Sequence, residues 1–254
     1  MPFSTSTGPA FPSSVSRASA RARIGSVISA FLRPVPRLGY GILALILNLT
    51  FATGLSAVPA RADPVTVAAL GDSLTAGYGL APDEGFVPAL QEWLDANGVA
   101  ARVVNAGVSG DTTAGGLARA GWALAPEVQA VIVALGGNDL LRGLPPEEAK
   151  ANLAGILDLA RARGLPVLLI GIAAPGNYGP DYRAAFDAIW PALAAEYGAL
   201  MIPDFLAPVK EAVGAGTPPA ALMQADMLHP TAEGARLIAA AVGPKVAELV
   251  AMVR

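Results

Sequence analysis

The sequence predicts an α/β protein, with one parallel β-sheet covered by helices on both faces. Five short apolar segments, partly β-branched, recur along the chain and alternate with segments whose apolar residues follow helical spacing. The strand segments are apolar on both faces, which is typical of a parallel sheet between two helical layers. In such sheets ligands bind beyond the carboxyl ends of the strands. The residues directly after each strand are therefore the candidates for a functional site.

The elements follow one another in a regular order. The predicted strands cover residues 65–70, 102–105, 130–135, 166–172 and 200–203, and the predicted helices cover 86–97, 113–124, 146–163, 182–197 and 231–253. Gly98, Gly164 and Gly198 stand where glycine commonly ends a helix. Three tryptophans lie within helical patterns and are predicted to be core residues: Trp93, Trp122 and Trp190.

Residues 1–62 differ in composition from the rest of the chain. They contain six arginines, no lysine and no acid, whereas 11 basic and all 20 acidic residues follow, a net charge of −9. An uncharged segment with an apolar centre, 38–60, precedes small residues in an A-x-A arrangement. This pattern predicts a secretory signal with a long basic region, cleaved after Ala62 or, as a second choice, after Ala60. The length of the basic region leaves the true start codon open.

The alternative for this segment is an uncleaved anchor, because 23 uncharged residues can span a bilayer. Polar residues, glycine and proline dilute its second half, which favours cleavage. We therefore predict one mature domain, residues 63–254, that is periplasmic or secreted from a bacterium, with inner-membrane anchoring as the alternative.

The composition excludes several classes of site. The chain has no cysteine, so disulfides and thiolate zinc sites are excluded. Its single histidine makes a histidine-based metal centre implausible, and the acidic domain offers no basic patch for nucleic acid.

The single histidine, His229, lies three residues after Asp226, and Ser73 directly follows the first predicted strand in Gly71-Asp72-Ser73-Leu74. A serine nucleophile needs a base near neutral pH, and His229 is the one imidazole available. Asp226 can reach its other ring nitrogen and orient it. The alternative is that Asp72 or Ser73 only caps a helix, which is common.

The next two strand ends carry further candidates. After the second strand come Gly107 and Gly110, whose amides can approach a ligand without a side chain in the way. After the third strand comes Asn138, whose carboxamide can donate to an oxyanion. Each segment taken alone is more typical of a turn or a helix cap.

Together these segments resemble the SGNH, or GDSL, hydrolase family, and within it the bacterial multifunctional thioesterase I/arylesterase/lysophospholipase group. The resemblance covers residues 65–250 and is carried by LGDSLTAGY at 70–78, VNAGVSGDT at 104–112, LGGNDLLRG at 135–143 and PGNYG at 175–179. Gly107, Leu140 and Ala174 depart from the family pattern, and none of them removes a catalytic group.

The resemblance implies a role for each residue and a fold. Ser73 would be the nucleophile, His229 the base and Asp226 its orienting partner. The oxyanion hole would consist of the Ser73 N–H, the Gly110 N–H and the Asn138 side chain, with Gly107 as a competitor for the place of Gly110. The implied fold is a three-layer, flavodoxin-like α/β/α domain with a five-stranded parallel sheet in the order 2-1-3-4-5.

The expected activity is two-step acyl transfer on carboxylic esters and thioesters, with aryl esters, acyl thioesters and lysophospholipids as substrates. No metal or organic cofactor is required. The acyl pocket is expected between the loops at 139–145 and 174–182, where the apolar surface comes from Leu140, Leu141, Leu144, Pro175 and Tyr178. We expect a monomer that binds no nucleic acid and meets membranes only through lipid substrates or an uncleaved signal.

Two other functions remain open at this point: a carbohydrate O-acetyl esterase with the same residues, and a non-catalytic binding module. Four other charged residues have ordinary explanations. Asp139 is interpreted as a support for its loop, Glu147 and Glu148 as favourable charges at a helix N-terminus, and Arg142 as a surface residue rather than a substrate clamp.

Overall fold

The computed structural model describes residues 63–253, and the predicted signal segment lies outside this part of the chain. Five strands are present there: β1 (Val65–Gly71), β2 (Ala101–Gly107), β3 (Ala130–Ala134), β4 (Val167–Ile170) and β5 (Leu200–Ile202). They form one parallel sheet in the order β2-β1-β3-β4-β5. The predicted fold class and strand order are confirmed.

Helices connect the strands. They are α1 (Ser73–Ala76), α2 (Phe86–Ala96), α3 (Thr113–Ala123), α4 (Gly137–Leu141), α5 (Pro146–Ala162), α6 (Pro180–Asp187), α7 (Ile189–Tyr197), α8 (Ala207–Gly214), α9 (Pro219–Leu222) and α10 (Ala232–Ala251). A short 3₁₀ turn, Gly176–Tyr178, precedes α6. In residues 63–253 no helix has the length and apolar character needed to cross a membrane.

The core consists of two layers, one on each face of the sheet. Alternate residues of β1 enter opposite layers: Val67 and Ala69 pack with α2 and α10, whereas Ala68 and Leu70 pack with α3, α5 and α7. All of β1 and β3 is buried. The apolar segments of the sequence do not alternate with polar residues, because both faces of these strands are covered.

The predicted helix at 182–197 is two helices, α6 and α7, separated by Ala188. Pro191 has no amide hydrogen, so the carbonyl of Asp187 cannot receive the usual helical hydrogen bond. The Asp187 carboxylate accepts the backbone N–H of Ala174 at 2.9 Å. The break between α6 and α7 therefore lies next to Asp187, whose side chain supports the loop after β4.

One of the three tryptophan predictions is wrong. Trp190 is buried and Trp93 packs against the core, but Trp122 is 75% exposed. The buried stripe of α3 runs through Gly116, Ala120 and Ala123. Trp122 follows Ala120 by two positions, about 200° around the helix, and so points away from this stripe.

Candidate active site

Three neighbouring strands, β2, β1 and β3, end at one level of the sheet. Gly71, the last residue of β1, pairs with Gly107 of β2 and with Ala134 of β3. The segments that begin with Asp72, Val108 and Leu135 therefore leave the sheet side by side. This is the edge at which the sequence places its candidate residues.

Ser73 begins α1, the short helix that follows β1. The buried Asp72 side chain caps this helix by accepting the N–H of Leu74 at 3.0 Å. Ser73 is therefore free of a capping role, and its Oγ lies 2.8 Å from Nε2 of His229. The sequence alone left open which of these two residues is the cap.

Asp226 organises the loop that carries His229. Its Oδ1 accepts the backbone N–H groups of Leu228 at 2.9 Å and of His229 at 3.0 Å. Its Oδ2 lies 2.7 Å from His229 Nδ1. The hydrogen bond to His229 lowers the pKa of Asp226 to about 2. An ionised Asp226 favours the ring proton on Nδ1, so that Nε2 can accept the Ser73 hydroxyl.

The sequence reasoning missed two residues that hold this loop in place. Gln224 donates from Nε2 to the carbonyls of Tyr78 and Pro230, both at 2.8 Å. Its backbone N–H donates to the backbone carbonyl of His229, also at 2.8 Å. The Tyr78 ring packs against the His229 ring with 4.6 Å between centroids. The resemblance motif includes Tyr78, but no pattern in a single sequence marks Gln224.

The structure distinguishes the two glycines after β2. The Gly107 N–H donates to Asn105 Oδ1 at 2.9 Å, and a Cβ on Gly107 would collide with the backbone of Ala76. Gly110 is exposed, with a φ of 86°. Within residues 63–253, its N–H has no hydrogen-bond acceptor. Of the two amides, only that of Gly110 is available to a ligand.

Asn138 lies in α4 after β3, and its Nδ2 is 3.5 Å from Asp72 Oδ2. Burial raises the pKa of the Asp72 carboxyl to about 6, against the lowering effects of the Leu74 N–H and the His229 charge. The structure thus connects Asp72, which the sequence treated only as a possible cap, to the candidate oxyanion donor as well as to α1.

Two buried or half-buried charges brace these loops. Asp139 accepts the N–H of Thr113 at 2.8 Å and its hydroxyl at 2.6 Å, which agrees with the predicted supporting role. Arg119, which sequence reasoning missed, donates to Asp111 Oδ2 at 2.5 Å, to Ala106 at 2.6 Å and to Gly71 at 2.8 Å. Arg119 therefore ties the ends of β1 and β2 to the loop that contains Gly110.

A cleft of about 680 Å³ opens beside Ser73 and is lined by Asp72, Asn138 and His229 among others. Of the residues expected in the acyl pocket, Leu140, Leu141, Pro175 and Tyr178 line it. Leu144 does not line it, and its carbonyl instead accepts the Tyr182 hydroxyl at 2.9 Å. Further apolar lining comes from residues that the sequence reasoning did not name: Ile172, Leu206, Met227 and Leu228. Ile172 and Leu206 follow β4 and β5. They could therefore have been predicted from the rule that ligands bind beyond the carboxyl ends of the strands.

The sequence is similar to a family of lipases and acylhydrolases and to individual esterases and thioesterases. A family model described as GDSL-like lipase/acylhydrolase matches residues 69–237. Esterase TesA of Pseudomonas aeruginosa is 44% identical over 188 residues, which are 74% of this chain and 89% of that protein. Thioesterase 1/protease 1/lysophospholipase L1 of Escherichia coli is 41% identical over 144 residues, 56% of this chain and 67% of that protein.

Solved structures of esterases are also similar to this chain. AlinE4, an SGNH-hydrolase family esterase, is 46% identical with a TM-score of 0.59, over 73% of this chain and 96% of its own. The family match covers more than half of the chain and includes the candidate residues Ser73, Asn138 and His229. This chain belongs to the GDSL-like lipase/acylhydrolase family.

Proposed function

We propose that the protein is a serine hydrolase that cleaves carboxylic esters and thioesters, among them aryl esters, acyl thioesters and lysophospholipids. The observation that carries this proposal is the continuous chain of hydrogen bonds from Ser73 through His229 to Asp226 beside an apolar cleft. The relatives named as an esterase and as a thioesterase/lysophospholipase support the same substrate class.

In this proposal, His229 Nε2 takes the proton of Ser73 as Oγ attacks the acyl carbonyl carbon. Ionised Asp226 stabilises the imidazolium that forms and keeps the ring in position. The imidazolium then protonates the leaving alcohol or thiol. Water attacks the acyl-serine with His229 again as base, which releases the acid and restores Ser73.

The negative oxygen of each tetrahedral intermediate would be held by the Ser73 N–H, the Gly110 N–H and Asn138 Nδ2. The free amide of Gly110 supports its choice over Gly107, whose amide is already bonded to Asn105. The Asp72 carboxylate, by accepting from Asn138, would orient the amide before substrate binds. Donors fixed in advance stabilise charge without reorganising during the reaction.

The acyl chain would lie in the cleft between α4 and the loop after β4. A p-nitrophenyl ester series of increasing chain length, assayed on residues 63–254, tests the substrate class. We expect turnover of medium and longer acyl chains, because the cleft walls are mostly apolar. A strict preference for acetate would favour a carbohydrate O-acetyl esterase, and an absence of turnover would favour a binding module.

We also propose that residues 1–62 direct the domain out of the cytoplasm and are removed. The expected mature N-terminus is Asp63, or Arg61 if cleavage follows Ala60. Intact-mass measurement of protein from a secreting host, together with cell fractionation, tests this. Recovery of the uncleaved 25.6 kDa chain in the membrane fraction would show that the segment is an anchor.

The rate of ester hydrolysis should rise with pH between about pH 5 and 8, because a general base acts only after it has lost its proton. Asp226, with a pKa of about 2, stays ionised throughout and cannot cause this rise. Asp72 could contribute, because its pKa of about 6 means that it is neutral below this value and ionised above it.

The variant Asp72→Asn separates the two groups. Since asparagine also caps helices, α1 should persist. If His229 is the base, the variant loses activity at every pH, but its kcat/KM still rises with pH. A profile of Asp72→Asn that is flat between pH 5 and 8 would assign the rise to Asp72 and contradict the proposed base.

A further inference from the structure

Arg142 contacts both loops that carry the proposed oxyanion donors. It directly follows α4, the helix that contains Asn138, and its backbone N–H donates to the Asn138 carbonyl at 3.2 Å. Its guanidinium reaches across to the loop after β2, where Nη2 donates to the Gly110 carbonyl at 2.8 Å. One side chain thus joins the two loops at the residues whose donors must act together.

The loop that contains Gly110 is fixed on its inner side by other residues. Val108 donates to the Gly71 carbonyl at 3.0 Å, and the Asp111 N–H closes a turn onto Val108 at 3.1 Å. Arg119 holds the Asp111 carboxylate. Gly110 itself lies at the outer tip of this turn, and Arg142 is the one described residue that forms a hydrogen bond to it.

We infer that Arg142 is a positioning residue that sets the place of the Gly110 amide relative to Asn138. This inference rests on the proposed hydrolase function. Glycine has more backbone freedom than any other residue, so a tip formed by glycine depends on an outside contact for its position. Donors stabilise an oxyanion only when they lie where the charge develops, and a misplacement of about 1 Å can cost on the order of 100-fold in rate.

An alternative role for Arg142 is to bind a negative charge on the leaving group, as in a coenzyme A thioester. The structure favours positioning, because Nη2 is already bonded to Gly110 and Arg142 is not among the residues that line the cleft. A purely structural role is also disfavoured. The Arg142 side chain is exposed, and an exposed hydrogen bond adds little to folding stability.

The test compares Arg142→Ala and Arg142→Lys with the wild type on two substrates that share an acyl chain: a neutral p-nitrophenyl ester and a coenzyme A thioester. Arg161→Ala is the matched control, because Arg161 is an exposed arginine paired with Asp158. It lies near the amino end of β4, whereas the site lies at the carboxyl ends of the strands. We expect Arg142→Ala to lower kcat on the order of 10- to 100-fold on both substrates, with KM and Tm unchanged.

The affinity for an alkyl boronic acid, whose serine adduct is tetrahedral and anionic, should weaken in Arg142→Ala by about the same factor as kcat/KM. Lysine can donate one hydrogen bond but lacks the planar guanidinium, so Arg142→Lys should recover part of the rate. Arg161→Ala should match the wild type. If Arg142→Ala does not fold, the same measurements are made on Arg142→Lys and Arg142→Gln.

Three results would overturn the inference. An unchanged kcat on the neutral ester would do so, as would a loss confined to the KM of the thioester, which would make Arg142 an anion-binding residue. A lower Tm with unchanged kcat in the cold would make it a structural residue. If the wild type itself hydrolyses neither substrate, the proposed function fails instead, and the two failures are therefore distinguishable.

Discussion

Replacement of Ser73 by alanine should reduce ester hydrolysis to background, a loss on the order of 10⁶ in kcat for a serine hydrolase. The hydroxyl of Ser73 lies 2.8 Å from His229 Nε2, and alanine leaves the reaction without a nucleophile. The fold should persist, because the cap of α1 is the Asp72 carboxylate rather than the Ser73 hydroxyl. Single-turnover assays and circular dichroism measure the two effects.

Ser109 supplies the matched control. It is the one other serine in the described part of the chain, is exposed, and lies after β2 rather than β1. Ser109→Ala should keep wild-type activity, and an alkylphosphonate should label the wild type at Ser73 alone. Labelling at Ser109, or substantial turnover by folded Ser73→Ala, would contradict the assignment of the nucleophile.

The fold could be predicted because its signals are local. Runs such as Ala130–Ala134 are apolar without alternation, and this pattern has one common cause, a strand covered on both faces. Where a single residue breaks a periodic pattern, the prediction was less accurate. Pro191 divides the expected helix at 182–197, and the exposure of Trp122 follows from its angle around α3 rather than from its apolar character.

The site was predictable to the extent that it uses rare residues. With one histidine in the chain, the base of a serine hydrolase had no other candidate, and Asp226 lay within reach of it. The supporting residues are of common types and act over long sequence separations. Arg119 reaches Gly71 across 48 positions and Gln224 reaches Tyr78 across 146, so a single sequence carries no signal for either contact.

Asp72 shows how a local rule can be correct and incomplete. The helix-capping explanation for Asp72 agrees with the structure, in which one carboxylate oxygen accepts the Leu74 N–H. The other oxygen lies 3.5 Å from Nδ2 of Asn138 in α4, and burial raises the pKa of Asp72. Local propensity describes the first contact, whereas the second exists only after the sheet has assembled.

Replacement of Asn138 by alanine should lower kcat by about 10²–10³, equivalent to about 2.7–4 kcal/mol in the barrier, with little change in KM. The amide is placed for an oxygen that becomes negative in the transition state, so its loss should affect turnover more than substrate binding. Asn97→Ala is the matched control, since Asn97 is an exposed amide at the end of α2 that donates to the Trp93 carbonyl.

The position of Asp72 adds a second expectation for the same variant. Without Asn138, the buried Asp72 carboxylate loses one of its donors, and its charged form becomes less favourable. The pKa of Asp72 should therefore rise, so Asn138→Ala should begin to lose activity on acidification at a higher pH than the wild type does, while Asn97→Ala should follow the wild-type profile. If Asn138→Ala instead raised KM and left kcat unchanged, Asn138 would be a substrate-binding residue. The proposed three-donor oxyanion hole would then reduce to the amides of Ser73 and Gly110.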